Sequence, residues 1–362
     1  MNILVYDVAA SSHGVLSILH DFYKSVKEYG NKDIQWFFVI GKTDLEETEN
    51  IHVYKMDWAK KSWFHRLYCD GIAMPKFVKE HKIDKIISLQ NVAVPFTKVP
   101  QDIYLHQPIP YVDYKFRFGR KEERVLWIQQ HIIGKFINRS VRRAGTVFVQ
   151  TDWVREAAGK TARVSPDKFV CVQPDIDLKI VQKFDADVLK KDITFFYPAT
   201  PFVYKNHKVV LEAAKILQEQ GISHFSVDLT VNRAEDMALS CREILPSVSQ
   251  TVHLKGTLPR ENVMEYYTRS ILIFPSVVET YGLPMLEARL SGAPILASDM
   301  PFCHEILDGY ENVQFFDPDS AQDLAQLMKP FIEQTYTYHP VADTSRAQQN
   351  NWQIVLNKIV AL

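Results

Sequence analysis

The chain has 362 residues, of which 46% are hydrophobic and 23% charged, a composition that supports about two domains with sizeable cores and excludes a disordered chain. Its 42 basic and 43 acidic residues leave a formal charge of -1, which argues against a globally basic nucleic-acid-binding protein. No apolar run approaches the ~20 residues of a membrane-spanning helix, and Met1–Tyr6 predicts a strand where a signal peptide would lie. The 4 scattered cysteines favour free thiols in a cytosolic protein.

Short apolar runs alternate with amphipathic stretches through the first half of the chain, which predicts βαβ units and a parallel sheet. The predicted strands are Ile3–Val8, Ile34–Ile40, Lys85–Leu89, Ile103–Leu105 and Thr146–Gln150. Helices are predicted at Gly14–Tyr29 and Pro75–His81.

The same alternation restarts after residue 190 and predicts a second α/β domain. Its predicted strands are Ile193–Tyr197, Phe225–Thr230, Val252–Leu254, Ile271–Phe274 and Ile295–Ala297, and its helices are Lys208–Gln220, Glu261–Tyr267 and Leu283–Ser291. We therefore predict an N-terminal acceptor-binding domain over 1–172, a polar linker over 173–192 and a C-terminal donor-binding domain over 193–340. Residues 341–362 are predicted to hold a last helix, Ser345–Leu362, that could pack back on the N-terminal domain.

The most informative segment follows the predicted strand Ile271–Phe274 and opens the next helix. Gly282 permits a tight turn there, and the amides of Gly282 and Leu283 at a helix start favour a phosphate group. Glu279 and Glu287 would lie on either side and are suited to accept hydrogen bonds from sugar hydroxyls. On spacing alone, an ordinary strand–loop–helix unit with two solvated acids stays open.

Glu279 and Glu287 form the E-x7-E pattern of retaining glycosyltransferase family 4, and their surroundings resemble the same family. The resembling residues are Ser276, 281–284, 287–288, 292–294 and 297–299. The resemblance implies the GT-B fold, in which two doubly wound Rossmann-like domains face a central cleft. It also implies that Glu279 is catalytic and contacts the donor sugar, that Glu287 holds the ribose, and that the Gly282 and Leu283 amides meet the diphosphate. Tyr281 is expected among the same donor-binding residues.

A lysine in the predicted entry loop of the second domain also resembles this family. Lys205 precedes the helix Lys208–Gln220 and is similar to the diphosphate-binding lysine, with a catalytic role as a point charge for the leaving group. A surface lysine on a loop is the alternative. Ala199 stands where many members carry an arginine, so part of the expected positive charge is absent or comes from elsewhere, with Arg233 and Lys255 as candidates.

Three further positions are assigned by resemblance alone. Gly14 follows the first strand where the family often has a glycine pair, although a GxGxxG fingerprint is absent and a connecting turn is the alternative. Gly256 resembles the turn that lines the family's base pocket, but a single glycine is usually just a turn. His106, at the carboxyl end of a predicted strand, is similar to the histidine near the reacting sugar and is predicted to be catalytic; a structural histidine is the alternative.

The stretch 58–143 holds 17 basic and 7 acidic residues and is therefore locally positive. Within it, 58–68 and 114–143 interleave charges with aromatic side chains, which predicts peripheral contact with an anionic membrane. Helices with a buried apolar side and solvated charges are an equally good explanation. No nucleic-acid module is recognisable.

Three Asp-x-Asp pairs occur, at 175/177, 185/187 and 317/319. A metal-binding pair would suit a different transferase fold, and these pairs lie in polar connectors. Since GT-B enzymes generally need no bound metal, we expect neither a metal nor a resident cofactor.

Together these features predict a retaining hexosyltransferase of bacterial surface polysaccharide synthesis, such as capsule formation. It would move a sugar from a nucleotide-diphosphate sugar, with a UDP-sugar expected, to a glycan or lipid-linked acceptor. We expect it in the cytoplasm, peripheral at the inner face of the membrane. The alternatives are a non-catalytic nucleotide-sugar-binding GT-B protein and another GT-B enzyme, such as an epimerase or phosphorylase.

Overall fold

The structure, a computed structural model, describes residues 1–10, 13–174, 181–341 and 351–361, the side chains of 13–15 excepted. The chain divides into two compact units. Unit 1 contains Met1–Tyr111, Leu126–Asp175 and Gln349–Leu362, and unit 2 contains Val112–Val125 and Ile176–Gln348. Residues 175–180 of the predicted linker lie outside the described residues.

Unit 1 is built on a parallel sheet of 7 strands in the order β3-β2-β1-β4-β5-β6-β7. The strands are β1 (Asn2–Asp7), β2 (Gln35–Ile40), β3 (Ile51–Lys55), β4 (Lys85–Ser88), β5 (Gln101–Tyr104), β6 (Val147–Val149) and β7 (Phe169–Cys171). Its helices are α1 (His13–Tyr29), α2 (Trp63–Tyr68), α3 (Met74–Glu80), α4 (Arg124–Ile128), α5 (Gly134–Arg143) and α6 (Asp152–Ala162), of which α4 begins in unit 2. Along β1, Ile3 and Val5 enter one core cluster while Leu4 and Tyr6 enter the other, so both faces of the sheet are covered. Burial on both faces explains why these strands are continuous apolar runs.

Unit 2 holds a parallel sheet of 6 strands in the order β10-β9-β8-β11-β12-β13. The strands are β8 (Ile193–Tyr197), β9 (Phe225–Leu229), β10 (Val252–Leu254), β11 (Ile271–Phe274), β12 (Ile295–Ser298) and β13 (Val313–Phe316). The helices are α7 (His207–Glu219), α8 (Leu239–Ile244), α9 (Arg260–Arg269), α10 (Leu283–Ser291), α11 (Pro301–Leu307) and α12 (Ala321–Ile332).

The last helix, α13 (Asn351–Val360), packs on unit 1. Its Trp352 ring lies 5.5 Å from the Phe22 ring of α1 and 5.1 Å from the Tyr104 ring of β5, measured between centroids. Residues 342–350 and 362, which include part of the predicted helix Ser345–Leu362, lie outside the described residues. Within the described ranges, none of the helices combines the length and hydropathy needed to cross a bilayer.

All ten strands predicted from the sequence are present, with ends shifted by at most two residues. Three strands were not predicted: β3, β7 and β13. β3 and β7 are the edges of the first sheet and β13 is an edge of the second. Each is only partly buried, so it lacks the continuous apolar run that marks a central strand.

Candidate functional site

In unit 2, strand order reverses between β8 and β11, which are neighbours in the sheet although two other strands separate them in the chain. Such a switch point leaves a crevice at the carboxyl ends of the strands, where open α/β sheets bind ligands. The loop after β8 carries Lys205 and the loop after β11 carries Glu279. The topology therefore brings together two residues that are 74 positions apart in the chain.

Lys205 and Glu279 form an ion pair between Nζ and Oε1, with only 18% and 15% of their side chains exposed. Ser276 Oγ donates to the same Oε1 at 2.9 Å. Tyr197, at the end of β8, donates its hydroxyl to the Lys205 carbonyl at 2.9 Å and lies 3.0 Å from Ser276 Oγ. The four residues form one network that fixes the two loops against each other.

Tyr197 connects the two loops, because its hydroxyl contacts Lys205 in one and Ser276 in the other. Its side chain is fully buried, and burial together with the Glu279 carboxylate raises the pKa of its phenol well above the usual value. The hydroxyl therefore stays protonated and available as a donor near neutral pH. A second link between the loops is the Val277 amide, which donates to the Tyr204 carbonyl at 2.9 Å.

The loop after β11 ends at Gly282, the N-cap of α10, whose φ is 82°. The left-handed backbone conformation at this position favours glycine, and a Cβ there would also displace the flexible end of Met285, whose Cε lies 2.5 Å from the Cβ position. The amides of Gly282 and Leu283 belong to the first turn, where an α-helix offers them no acceptor of its own. Tyr281, just before this turn, is buried. The geometry can hold an anion at the start of α10.

Glu287 lies one turn further along α10 and is only 2% exposed. Arg260, the first residue of α9, donates from Nη2 to Glu287 Oε1 at 2.6 Å. Burial raises the pKa of Glu287, and the Arg260 guanidinium opposes that rise. Because a buried carboxylate without a partner is costly, the ion pair with Arg260 compensates the charge of Glu287. The ribose contact assigned to Glu287 by resemblance stays a prediction, and a ribose would approach it beside Arg260.

Gly256 follows β10 in a turn with φ 72°, and its amide donates to the Val231 carbonyl at 3.1 Å. The two cations considered as replacements at Ala199 both have other carboxylate partners. Arg233 pairs with Asp236 at 3.1 Å, and Lys255 lies 3.3 Å from Asp228. Of the three cations, Lys205 is the one that lies in a loop at the switch point, since Arg233 follows β9 and Lys255 follows β10.

In unit 1 the strand order reverses between β1 and β4. His106 lies just beyond β5 and is held by Asn91, which follows β4. Asn91 Oδ1 accepts the His106 amide at 2.7 Å, and Asn91 Nδ2 lies 3.2 Å from His106 Nε2. Since an amide nitrogen only donates, Nε2 is the acceptor and the ring proton is on Nδ1. Burial lowers the pKa of His106 to about 4, so the ring is neutral at pH 7.

Gly14 lies in the first turn of α1. The loop that leads to it starts at Asp7, which is fully buried at the end of β1 and accepts the Ala10 amide at 3.1 Å. Lys60 Nζ donates to the Ala9 carbonyl in the same loop at 2.5 Å. Burial raises the pKa of Asp7 to about 7, although the Ala10 bond and Lys60 counteract it.

The Asp-x-Asp pairs have local roles where they can be seen. Asp185 accepts the Asp187 amide at 3.0 Å and Asp317 accepts the Asp319 amide at 2.9 Å, so each closes its own turn. The pair 175/177 lies outside the described residues. Among the residues that the structure describes, no three His, Cys, Asp or Glu side chains are grouped as they would be around a metal ion. The expectation of no metal stays a prediction.

Four residues of these sites had no predicted role: Tyr197, Arg260, Asn91 and Asp7. Each acts through a partner distant in the chain or through its own burial. Only Asp7 carried a local signal, as a carboxylate at the end of an otherwise apolar strand.

Comparison with known proteins gives a family match for part of the chain. Residues 180–348 match the family model described as Glycosyl transferases group 1, a range that contains Lys205, Glu279 and α10.

Two curated relatives are distant and longer. The chain is 21% identical over 207 residues to the O-antigen chain mannosyltransferase RfbU of Salmonella typhimurium strain LT2, a match that covers 56% of this chain and 55% of that protein. It is 24% identical over 152 residues to the serotype-specific mannosyltransferase WbdA of Escherichia coli, covering 41% and 18%. The chain thus spans about half the length of the first relative and less of the second.

Solved structures resemble the whole chain. WaaG, a glycosyltransferase involved in lipopolysaccharide biosynthesis, has a TM-score of 0.67 at 14% identity, with 100% of both chains covered. Anabaena HepE in complex with UDP and glucose has a TM-score of 0.67 at 15% identity, with 100% and 99% covered. At such identities the likeness shows the fold, which is GT-B with two Rossmann-like α/β domains.

Proposed function

We propose that this protein is a retaining glycosyltransferase that moves a hexosyl group from a nucleotide-diphosphate sugar to a glycan or lipid-linked glycan acceptor. The observation that carries the proposal is the contact between Lys205 and Glu279 beside the first turn of α10. These three features lie within the range matched by the glycosyl transferases group 1 model. A cation, a carboxylate and free helix amides suit a diphosphate with a sugar attached.

Donor binding would exchange the partners of the ion pair. Lys205 Nζ would turn to the diphosphate, and the Glu279 carboxylate would accept a hydrogen bond from a hydroxyl of the sugar. As the glycosidic C–O bond breaks, negative charge develops on the diphosphate, where Lys205 and the α10 dipole stabilise it. A diphosphate oxygen takes the acceptor's proton while the acceptor oxygen bonds to the anomeric carbon from the same face. Configuration is then retained without a covalent enzyme intermediate.

Unit 1 would bind the acceptor, with His106 near the reacting sugar and Gly14 allowing close backbone approach. The names of RfbU and WbdA make mannose a candidate for the transferred sugar and O-antigen synthesis a candidate pathway. We expect UDP as the nucleotide, and UDP complexes of Anabaena HepE provide a precedent in this fold. The protein would act in the cytoplasm at an anionic membrane, without a resident metal.

The proposal is tested by a thermal-shift screen of UDP-, GDP- and dTDP-sugars, mannosyl donors included, followed by transfer of radiolabel to lipid-linked acceptors. We expect one nucleotide class to raise the melting temperature and the same donor to be consumed only when an acceptor is present. No shift with any donor would contradict donor binding. Inversion at the anomeric carbon of the product would contradict retention.

A second candidate is a protein that binds a nucleotide sugar but does not catalyse sugar transfer. The observation that favours it is Ala199, which leaves Lys205 as the cation of these loops, and Lys205 is neutralised by Glu279 when no donor is bound. A thermal shift without transfer to any acceptor of the panel would support this second candidate.

A further inference from the structure

Helix α2 presents its large apolar side chains to solvent. Trp63 is 67% exposed, Phe64 83% and Leu67 62%, and no residue of the helix is buried. A π-helical segment, Cys69–Ala73, continues the helix and adds Ile72, which is 57% exposed. An exposed apolar area of this kind marks a contact surface.

The side of this helix that faces the protein is ionic. Arg66 Nε pairs with Asp70 Oδ2 at 2.7 Å, and the hydroxyl of buried Tyr6 donates to Asp70 Oδ1 at 2.5 Å. Surface helices usually have the opposite arrangement, with apolar residues inward and charges outward. This ionic network and buried Cys69 fix the rotation of the helix about its axis. The outward orientation of the apolar side chains is therefore determined by the fold.

Phe96 extends the same surface from a neighbouring loop. A Cβ added at Gly71 would lie 3.9 Å from Phe96 Cε2, so the two positions are adjacent. Phe96 is 79% exposed and has φ 56°, a left-handed conformation that is uncommon for a bulky residue. Strained residues of this kind persist where function requires them. We call Trp63, Phe64, Leu67, Ile72 and Phe96 the α2 face.

The charges beside the α2 face are positive on balance, although Asp57 is exposed in the same segment as Lys60 and Lys61. Lys60 and Lys61 are exposed just before α2, whereas Asp70 is satisfied by Arg66 and Tyr6. Tryptophan, other large apolar residues and lysine are the composition of segments that lie in the interface of an anionic bilayer. A second copy of the chain would bring the lysines of the two copies together, which disfavours self-association through this face.

We propose that the α2 face inserts into the interfacial region of an anionic bilayer, with Lys61 at the lipid headgroups. This proposal rests on the proposed function in one respect, because a contact with the bilayer is useful to a transferase whose acceptor is linked to a lipid. It also narrows the membrane contact predicted from the sequence. Arg66 is engaged by Asp70 and does not serve the headgroups, and residues 114–125 of the other predicted segment belong to unit 2.

The α2 face is tied directly to the loop that follows β1. Tyr6, which binds Asp70, lies in β1, and Lys60 donates to Ala9 in the loop that leads to Gly14. The proposed membrane surface and the proposed acceptor loop are therefore adjacent parts of unit 1. An acceptor with its lipid in the bilayer would reach this loop without leaving the membrane.

The test is sedimentation of the full chain with vesicles of phosphatidylglycerol and phosphatidylcholine, compared with vesicles of phosphatidylcholine alone. We expect binding to the anionic vesicles, and at least ~10-fold weaker binding for Phe64→Glu/Leu67→Glu. The matched control is Ile132→Glu/Phe136→Glu, which adds the same charge at two exposed apolar positions of the other predicted segment and should bind as the wild type does. Brominated lipid should quench tryptophan fluorescence in the wild type, and this quenching should decrease in Trp63→Phe.

Wild-type protein that does not bind anionic vesicles would overturn the proposal, as would equal losses in the two double variants. A dimer in solution that Phe64→Glu/Leu67→Glu dissociates would also overturn it in favour of self-association. Thermal shift with nucleotide sugars, measured on the same variants, separates this proposal from the proposed function. If no donor raises the melting temperature of the wild type but vesicle binding follows the expected pattern, the proposed transferase function is contradicted and the membrane contact of the α2 face is supported.

Discussion

At the scale of single residues, the central feature is the ion pair between Lys205 and Glu279, in which each charge is the partner of the other. Tyr197 and Ser276 support this pair from inside unit 2, and neither would touch the donor itself. The network therefore separates residues that would act on the substrate from residues that only position them. Replacing a positioning residue should slow transfer while the protein stays folded.

Tyr197→Phe removes the hydroxyl that bonds to the Lys205 carbonyl and contacts Ser276. We expect a roughly 10-fold lower rate of sugar transfer, which corresponds to about 1.4 kcal/mol of transition-state stabilisation. Tyr310→Phe is the control, because it also removes one buried tyrosine–carbonyl bond of unit 2, to Ala293, away from these loops. Equal rates for the two variants would show that Tyr197 has no positioning role.

Asp7 gives unit 1 a specific pH dependence. Its pKa is raised from 3.8 to about 7, so between these values the folded protein binds a proton that the unfolded chain has released. The folded state is therefore favoured at the acid end, and its stability falls as the pH rises towards 7. At pH 7 Asp7 is half ionised in the folded state, and by about pH 8 both states are ionised and the loss is complete.

Asp7→Asn keeps an oxygen for the Ala10 amide and removes the titration. The free energy of unfolding of Asp7→Asn minus that of the wild type should increase with pH. We expect this increase to be up to roughly 1.4 kcal/mol per pH unit between pH 5 and 7. The difference should change more slowly from pH 7 to 8 and level off above about pH 8. Urea unfolding at four pH values measures it, and a difference independent of pH over the whole range would contradict the account of Asp7.

At the scale of elements, the start of α10 depends on Gly282. Gly282→Ala would place a Cβ at φ 82° and 2.5 Å from Met285 Cε. We expect a loss of about 1–2 kcal/mol in stability from the left-handed backbone conformation and a loss of nucleotide-sugar affinity, because relief of this strain would move the amides of the first turn of α10. Calorimetry and thermal unfolding measure the two effects.

Gly221→Ala is the control, since Gly221 has φ 79° but open space around its Cβ position. It should lose stability through its backbone conformation alone and keep wild-type donor affinity. Donor affinity that is unchanged in Gly282→Ala as well would mean that the α10 turn does not hold the donor.

The elements themselves were largely predictable, because central strands buried on both faces are continuous apolar runs and α10 is marked by Gly282 and Gly292. Three of the four edge strands, β3, β7 and β13, were not predicted, since the exposed half of each breaks the pattern; the edge strand β10 was predicted. The orientation of α2 was not predictable either. A run of aromatic and basic residues does not reveal which side faces the protein, and here Tyr6 of β1 decides it by binding Asp70.

At the scale of the whole molecule, two sheets of the same kind each reverse their strand order once. Lys205 and Glu279 follow the two strands at the reversal in unit 2, whereas His106 follows β5, one strand away from the reversal in unit 1. The GT-B fold was predicted through family resemblance and is confirmed. The partnerships within the sites could not be predicted. Tyr197 and Ser276 are 79 positions apart, Arg260 and Glu287 are 27 apart, and no local pattern links either pair.

The most direct test of the central claim is single-turnover transfer from radiolabelled donor by Glu279→Gln. This variant keeps an acceptor for Ser276 Oγ but loses the carboxylate charge beside Lys205. We predict transfer at least ~10²-fold slower than in the wild type, with folding intact at the assay temperature although loss of the ion pair lowers the melting temperature. Transfer at the wild-type rate would place Glu279 outside the chemistry and contradict the assignment of the switch point in unit 2 as the donor site.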